Sequence, residues 1–333
     1  MLKNLDVLKS VVQEIVTEDE LRSLQEAKGY IGFEPSGDVH IATGLYWTNV
    51  INMAVESGID MYILLADWHA AINDKFDGNL DKIRRNAEYM RHSFISLGLS
   101  KKVKFLYASD LVSNQDYWAL LLRIAKSLTL SRIKRALPIM GRGEEEAEKD
   151  ASKMIYPLMQ ATDIFYMDLD IAFGGMDQRH AHMLARDIHR KINKKNFVAV
   201  HGPLISSLKG GNRMDPSNKM SKSKSDSAIF INDAPDIIEK KINAAYCPEG
   251  EVEGNPVLQI YRNIVLNFYG RELDIEGKNY ITYPDLERDY KEGKIHPKVL
   301  KKDLTSRLIH ILEPSRKYFE ENNDARKLME EFR

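Results

Sequence analysis

The sequence predicts an α/β protein, a doubly wound parallel sheet followed by a helical C-terminal region. Between residues 30 and 205, short apolar runs alternate with helical segments, which is typical of a parallel sheet with helices on both faces. The run "MYILLAD" (61–67) is apolar without alternation, as expected of a strand that is covered on both faces. After about residue 230 the sequence predicts only helices.

The elements follow one another in a regular order. Two helices are predicted within residues 3–27, and the second begins at Thr17 because Glu20 stands at the capping-box spacing. Strands are predicted at 30–33, 61–67, 103–109, 169–173 and 197–205, and helices near 80–97, 114–140 and 152–167. Ligands of such sheets bind beyond the carboxyl ends of the strands, so the segments after each strand are the candidate site.

The composition limits the class of protein. A chain of 333 residues predicts two domains, and we place their boundary near residue 230. The net charge of −1 gives no overall attraction for nucleic acid, so such a partner must meet local basic patches. The single Cys247 permits no internal disulfide and indicates a reducing, cytoplasmic location. No apolar run approaches the ~20 residues of a membrane span. Acidic residues interrupt the apolar positions of the N-terminal segment, whereas a signal peptide needs an uninterrupted apolar core.

One predicted helix carries a polar stripe. Tyr156, Gln160 and Asp163 are spaced i, i+4 and i+7 in an otherwise apolar segment, so they share one helix face. These side chains suit the binding of a small zwitterion that has a hydroxyl group of its own. A stripe that only faces solvent explains the spacing equally well.

Two strand-to-helix turns offer ligand sites. In "GGMDQRHAHML" (174–184) the paired glycines let the backbone approach a ligand, and Asp177 can accept from ribose hydroxyls. In "FEPSGDVHIATG" (33–44) a helix N-terminus forms an anion-binding corner, where His40 can donate to a phosphate. The alternatives are that Asp177 is an ordinary N-cap and that His40 is a surface residue.

A third motif is the pentapeptide "KMSKS" (219–223). Its two lysines stand among serines, and ammonium groups on such a loop can close over a triphosphate and stabilise charge that develops during phosphoryl or nucleotidyl transfer. A solvated loop is the alternative.

Together these blocks resemble one family, the tyrosyl-tRNA synthetases of the archaeal and eukaryotic type, which are class I aminoacyl-tRNA synthetases. "YIGFEPSG", "IYPLMQATDI", "GGMDQR..HMLAR" and "AYCPEGEVEGNP" occur in the family's order. The resemblance implies a Rossmann-like catalytic domain over 1–230, with connective helices and the KMSKS loop, and a helical anticodon-binding domain over 231–333. It implies ATP-dependent ligation of L-tyrosine to tRNA(Tyr) through tyrosyl-adenylate, in a cytoplasmic homodimer, with Mg²⁺ on the pyrophosphate.

The resemblance also implies roles for individual residues. It places the substrate tyrosine on Tyr30, Glu34, Tyr156, Gln160, Asp163 and Gln178, with Tyr30 and Asp163 holding the phenol. It places ATP on Gly37, His40, Thr43, Gly175, Asp177, Lys219, Ser221 and Lys222, of which His40, Lys219 and Lys222 are catalytic. It places the first tRNA base pair on Arg179 and further tRNA contacts on His296.

Basic side chains outside these motifs are candidates for phosphate contacts. Arg132, Lys134 and Arg135 form one group and Lys298, Lys301 and Lys302 another, and either can meet tRNA phosphates. Solvated faces explain both groups equally well.

The chain departs from the family's pattern at three points. The "HIGH" signature reads His40-Ile41-Ala42-Thr43, and Lys222 is an additional lysine in the mobile loop, where it can supply charge that the altered corner lacks. Val299 stands at the position where the family's pattern has an aspartate that reads the anticodon guanine. No Cys/His spacing predicts structural zinc.

Two other functions remain open. A tryptophanyl enzyme shares the fold, but Tyr30 with Asp163 suits a phenol better than an indole, which has a single donor. A catalytically silent, synthetase-like RNA-binding protein fits the altered signature but not the intact "KMSKS" and "GGMDQ".

Overall fold

The computed structural model describes residues 2–140, 150–210, 220, 225–270 and 273–333. The chain divides into two compact units. The first comprises Met1–Ser36, Ile51–Arg91 and Ser100–Pro203, and the second comprises Gly37–Val50, His92–Leu99 and Leu204–Arg333. This division concerns spatial contacts and assigns no function, so the functional boundary near residue 230 stays a prediction.

A mixed six-stranded sheet forms the centre of the described part of the first unit, in the order β1-β6-β5-β2-β3-β4. Its strands are β1 (Glu14–Val16), β2 (Ala27–Phe33), β3 (Ile59–Leu65), β4 (Lys104–Tyr107), β5 (Ile171–Gly175) and β6 (Val198–Gly202). All neighbours are parallel except β1 and β6. The sheet continues from β2 to one side and from β5 to the other, so their carboxyl ends form the switch point at which such sheets bind ligands.

Helices follow the strands much as predicted. They are α1 (Leu5–Val11), α2 (Glu18–Ser23), α3 (Gly44–Glu56), α4 (Asp67–Ile72), α5 (Leu80–Ser96), α6 (Ala108–Val112), α7 (Gln115–Lys126), α8 (Leu130–Lys134), α9 (Ala151–Tyr166) and α10 (Arg179–Ile188). The buried faces of α7 and α9 join β2 in one apolar core, which contains Leu121, Ile124 and Ile164. This core fixes α9 beside the sheet and thereby positions the polar stripe.

Two details of the N-terminal region were not predicted. Strand β1 has only three residues and pairs antiparallel with β6, so the sheet is mixed and not purely parallel. So short a strand gives no alternation for a sequence pattern to detect. Helix α2 does begin after Thr17, but the Thr17 hydroxyl donates to Glu20 Oε2 at 2.8 Å and makes no bond to the helix backbone. The predicted capping box is therefore wrong in its bonding and right in its position.

The helices after β6 lie in the second unit. They are α11 (Pro235–Ala244), α12 (Pro256–Ile260), a π-helix (Tyr261–Tyr269), α13 (Tyr283–Lys291), α14 (Pro297–Ile311), α15 (Glu313–Glu321) and α16 (Asn323–Phe332). The prediction of helices alone is wrong at one place, where β7 (Leu273–Ile275) pairs antiparallel with β8 (Lys278–Tyr280). Glu276 and Gly277 between them have φ angles of 53° and 80°, as a tight two-residue hairpin turn requires. Among the described residues, no helix has both the length and the apolar character needed to cross a membrane.

Candidate active site

The polar stripe of α9 faces the interior of the first unit. Asp150 caps the helix by accepting hydrogen bonds from the backbone of Ser152 and Lys153. Tyr156 and Asp163 are buried, and Gln160 is half-buried. The alternative of a solvent-facing stripe is therefore wrong.

Asp163 is the centre of a buried polar cluster. Its Oδ1 accepts a 2.7 Å hydrogen bond from the hydroxyl of Tyr117, on α7. Its Oδ2 lies 3.0 Å from Nε2 of His69, on α4, at ion-pair distance but without the alignment of a hydrogen bond. Tyr30, on β2, is buried within electrostatic range of the same carboxylate. Three elements that follow or form the sheet thus converge on one carboxylate.

The surroundings of Asp163 control the protonation of its neighbours. Burial and the charge of Asp163 raise the pKa of Tyr30 and of Tyr117, so both phenols stay protonated donors. Burial lowers the pKa of His69, but the carboxylates of Asp163, Glu34 and Asp67 outweigh it, and the pKa of His69 is raised. A positive charge on His69 is therefore favoured beside Asp163.

Glu34 forms a second carboxylate centre, directly after β2. It accepts a 2.6 Å hydrogen bond from the hydroxyl of Tyr156 and 3.1 Å hydrogen bonds from Nδ2 of Asn73. The ring of Tyr156 also packs edge-on against His69, with centroids 5.3 Å apart. Burial and the charge of Glu34 raise the pKa of Tyr156 well above its usual range. The centres at Glu34 and Asp163 are therefore joined through Tyr156 and His69.

Two glutamines lie between α9 and the turn after β5. Gln160 Nε2 donates to Gln178 Oε1 at 3.2 Å, and Gln178 Nε2 donates to the carbonyl of Ile139 at 3.3 Å. Burial and the charge of Asp163 raise the pKa of Tyr30, and contact with Gln160 offsets a smaller part of this shift. Gln160 Oε1 is buried and accepts no hydrogen bond from the described residues. A buried acceptor without a donor costs free energy that a bound ligand can recover.

The glycine turn after β5 packs closely. A Cβ atom at Gly174 would lie 3.0 Å from Cβ of Gln178 and 3.2 Å from Cε1 of His182, so there is little room for a side chain. Asp177 lies in a single 3-10 turn, Met176–Gln178, which leads into α10. The residue that immediately precedes α10 is Gln178, so the alternative of Asp177 as the N-cap of this helix is wrong.

The corner around His40 belongs to the second unit. His40 is buried and pairs with Phe230 in an isolated antiparallel bridge. The backbone N–H of Thr43 lies 3.3 Å from His40 Nδ1, and Gly44, which begins α3, donates to the His40 carbonyl at 2.8 Å. Gly37 has a φ of 113°, a conformation that favours glycine. His40 is therefore a buried side chain within the corner, and the alternative of a surface residue is wrong.

The KMSKS motif is described only at Met220. Lys219, Ser221 and Lys222 lie outside the described residues, so their predicted roles stay predictions. Met220 is buried, and its backbone N–H donates to the carbonyl of Ile205 at 3.0 Å.

The candidate tRNA-binding residues differ in their environment. Arg132 is already paired with Asp187, at 2.7 Å from NH2 and 3.1 Å from Nε, whereas Arg135 is exposed. His296 is exposed and caps α14, because its Nδ1 accepts from the backbone of Lys298 at 3.2 Å. Arg179 is held by Glu14. None of these contacts tests the predicted tRNA roles.

Sequence patterns did not single out His69 or Tyr117. His69 lies in "ADWH" directly after β3, so the rule that ligands bind at the ends of strands could have found it. Tyr117 is 46 residues from Asp163 and has no local signal.

The fold and the site define a class of protein, a doubly wound α/β protein whose ligand site lies at the switch point of its sheet. The sequence profile of the tRNA synthetases class I (W and Y) matches residues 23–313, and the chain belongs to that family.

Relatives resemble the chain over nearly its whole length. A tyrosine–tRNA ligase of Picrophilus torridus is 51% identical over 94% of this chain and 97% of its own. The crystal structure of the tyrosyl-tRNA synthetase from Aeropyrum pernix is 45% identical, with a TM-score of 0.89 and 98% of both chains covered. That of the Pyrococcus horikoshii enzyme complexed with L-tyrosine is 37% identical, with a TM-score of 0.91 over 98% of this chain and 99% of that one.

Proposed function

We infer that the protein is a tyrosine–tRNA ligase, which uses ATP to join L-tyrosine to tRNA(Tyr) through tyrosyl-adenylate and releases AMP and pyrophosphate. The observation that carries this conclusion is the buried carboxylate of Asp163 with the phenols of Tyr30 and Tyr117 around it, in a chain 51% identical to a tyrosine–tRNA ligase. A site of this kind suits a ligand that brings a hydroxyl group.

The cluster supports a specific pose for the substrate tyrosine. An ionised carboxylate offers about four acceptor positions. Tyr117 occupies one of those of Asp163, and His69 lies beside its other oxygen at 3.0 Å. The substrate phenol donates to another and accepts from Tyr30.

At the other end, the substrate ammonium supplies the donor that Gln160 Oε1 lacks in the described part of the chain, with Tyr156, Gln178 and Glu34 around it.

Adenylate formation then depends on position and charge. The tyrosine carboxylate attacks the α-phosphate of ATP and displaces pyrophosphate, so no protein nucleophile is needed.

Gly175 and Asp177 contact the ribose of ATP, and Gly37 and Thr43 line the phosphate corner. The Thr43 N–H at 3.3 Å assigns the acceptor role to Nδ1 of His40 and a proton to Nε2, which lies 3.3 Å from the Thr43 hydroxyl. This proton turns to a phosphate oxygen when ATP binds. Lys219, Ser221 and Lys222 bind the departing pyrophosphate, and Mg²⁺ enters as part of the substrate, on the phosphates of ATP.

The second step transfers tyrosine to the terminal ribose of the tRNA. Arg179 contacts the first base pair, the exposed Arg135 meets the phosphate backbone, and Arg132 does so after exchanging its partner Asp187. The helical domain over 231–333 binds the anticodon, with His296 in contact.

A homodimer is supported by apolar residues on the surface of the first unit. Trp118 and Leu122 are i, i+4 neighbours on α7 with exposures of 43% and 67%, and Leu130 on α8 is 60% exposed. Large exposed apolar side chains on one helix face mark an interaction surface. A Leu122→Asp variant tests this proposal, because it should halve the mass measured by sedimentation. We place the enzyme in the cytoplasm, as its lone Cys247 suggests.

ATP–pyrophosphate exchange with each of the twenty amino acids tests the function. We expect exchange with tyrosine alone. Enzymes of this type are known to reject phenylalanine by about 10⁵, and we adopt their figure as the expected discrimination. Preference for tryptophan would establish the tryptophanyl alternative, and tRNA binding without any exchange would establish the silent RNA-binding protein.

A further inference from the structure

Four polar side chains of the first unit form a continuous row beside the glycine turn. His182 Nδ1, on α10, lies 3.0 Å from His201 Nε2, on β6, and the two rings stack with centroids 5.1 Å apart. His201 Nδ1 lies 2.7 Å from Glu14 Oε2, on β1. Both oxygens of Glu14 in turn accept from Nε of Arg179, at 2.8 and 3.1 Å. Both imidazoles are fully buried.

The chemistry of the groups fixes the direction of every hydrogen bond in the row. A carboxylate only accepts, so His201 Nδ1 carries a proton and donates to Glu14. In a neutral imidazole the other nitrogen then accepts, so His182 Nδ1 donates to His201 Nε2. Burial and the neighbouring imidazole lower the pKa of His182 to about 3, and burial lowers that of His201 despite Glu14. Both rings are therefore neutral at neutral pH, so Arg179 is the group of the row that balances the charge of Glu14.

The row leaves the outer part of Arg179 available. Glu14 holds only Nε, and within the described part of the chain the two terminal nitrogens have no partner. The side chain of Arg179 is 42% exposed. An arginine whose Nε is fixed by a carboxylate presents its terminal nitrogens as an oriented pair of donors, with less side-chain entropy left to lose on binding.

The row is also part of the sheet, next to the glycine turn after β5 that we assign to the ribose of ATP. His201 is the register partner of Gly174 in the parallel pair β5–β6, and His182 would meet a side chain at Gly174. Glu14 lies opposite His201 in the pair β1–β6. The edge strand β1, which no sequence pattern predicted, therefore brings the carboxylate that orients Arg179.

We propose that Glu14, His201 and His182 are positioning residues for Arg179, which they hold as an oriented donor pair for the acceptor end of the tRNA. The inference rests on the proposed function, because Arg179 contacts tRNA only if the chain is a tRNA ligase. It assigns the row to the transfer step and not to adenylate formation.

The test separates the two steps in single-turnover experiments. Glu14→Gln keeps the shape of the side chain and removes its charge. We expect adenylate formation to stay within about twofold of the unmodified protein, while the rate constant for transfer at sub-saturating tRNA falls about tenfold, because Arg179 keeps its charge and loses only its orientation. Asp60→Asn, which removes the exposed ion pair with Lys104 at the start of β3, is the matched control and should change neither step.

Two further variants distinguish positioning from a merely structural role. His201→Asn retains a donor near the place of Nδ1, whereas His201→Leu retains none, so the first should charge tRNA better than the second. In an Arg179→Ala background, Glu14→Gln should have no further effect, because the residue that it positions is gone.

Each outcome decides the proposal. If the Glu14→Gln protein charges tRNA as fast as the unmodified protein, the proposal is wrong. It is also wrong if Glu14→Gln lowers tRNA charging further in the Arg179→Ala background. Equal decreases in the rates of adenylate formation and of transfer would mean that the row only supports folding, and would also overturn the proposal. If the unmodified protein forms no adenylate with tyrosine, the proposed function fails instead, which the same experiment reports separately.

Discussion

The hydroxyl of Tyr117 donates a 2.7 Å hydrogen bond to Asp163, and both residues are buried. The bond orients the carboxylate that we assign to the substrate phenol, although Tyr117 itself belongs to a different helix. The site therefore depends on a residue outside the polar stripe.

Tyr117→Phe should weaken tyrosine binding while leaving the fold in place. The ring is retained, but Asp163 loses one of its donors, and a hydrogen bond to a charged group contributes about 1.5–3 kcal/mol. We expect KM for tyrosine in ATP–pyrophosphate exchange to rise about 10- to 100-fold. Tyr107→Phe, which removes the hydrogen bond to Glu88, is the matched control and should leave KM unchanged. An unchanged KM in Tyr117→Phe would mean that Asp163 needs no such support.

Lys222→Ala should slow adenylate formation without affecting stability. This prediction comes from the sequence, where Ser221 and Ser223 flank the lysine. Loss of one preorganised charge contact in the transition state typically costs ~3–4 kcal/mol, or about 10²–10³ in rate. The melting temperature and tyrosine affinity should stay nearly the same, and ATP binding should weaken less than the rate falls. Pre-steady-state kinetics measure the rate, with Lys224→Ala as the control. A normal rate would leave Lys219 as the acting lysine.

Gly210→Ala should destabilise the second unit more than Gly277→Ala. Both glycines have left-handed backbones, with φ of 76° and 80°, so each substitution carries a strain of roughly 1–2 kcal/mol. At Gly210 the new Cβ would also lie 2.5 Å from the ring of Tyr246, whereas nothing lies within 4 Å at Gly277. Urea unfolding of both variants measures the difference. Equal losses would mean that Tyr246 moves aside without cost.

Asp289 should make stability depend on pH in the acid range. The hydrogen bond from Lys278, with further support from Tyr280 and Lys294, lowers its pKa to about 2, below the roughly 3.9 of an unfolded chain. The folded carboxylate therefore stabilises the protein fully above about pH 4, and this contribution is lost as the pH falls toward about 2. Asp289→Asn should be less stable than the unmodified protein at pH 7, and the two should converge in acid. Urea unfolding across this range checks it, and parallel pH profiles would contradict it.

The helix spacings in the sequence were sufficient to predict part of the site. Tyr156, Gln160 and Asp163 share a face because the helical period is local, and β2, β3 and β5 were predicted from their apolar runs. The strand β1 and the hairpin β7–β8 were missed, since three residues are too few to establish a period.

By itself the sequence determined the α/β class, the order of the main elements and, through family resemblance, the expected substrates. Only the tertiary structure decided which side chains meet. Glu14 reaches His201 across 187 residues, and Tyr117 reaches Asp163 across 46. The physical reason is that secondary structure follows from contacts a few residues apart. Pairs of this kind depend on strand register and helix packing, which the whole chain establishes together.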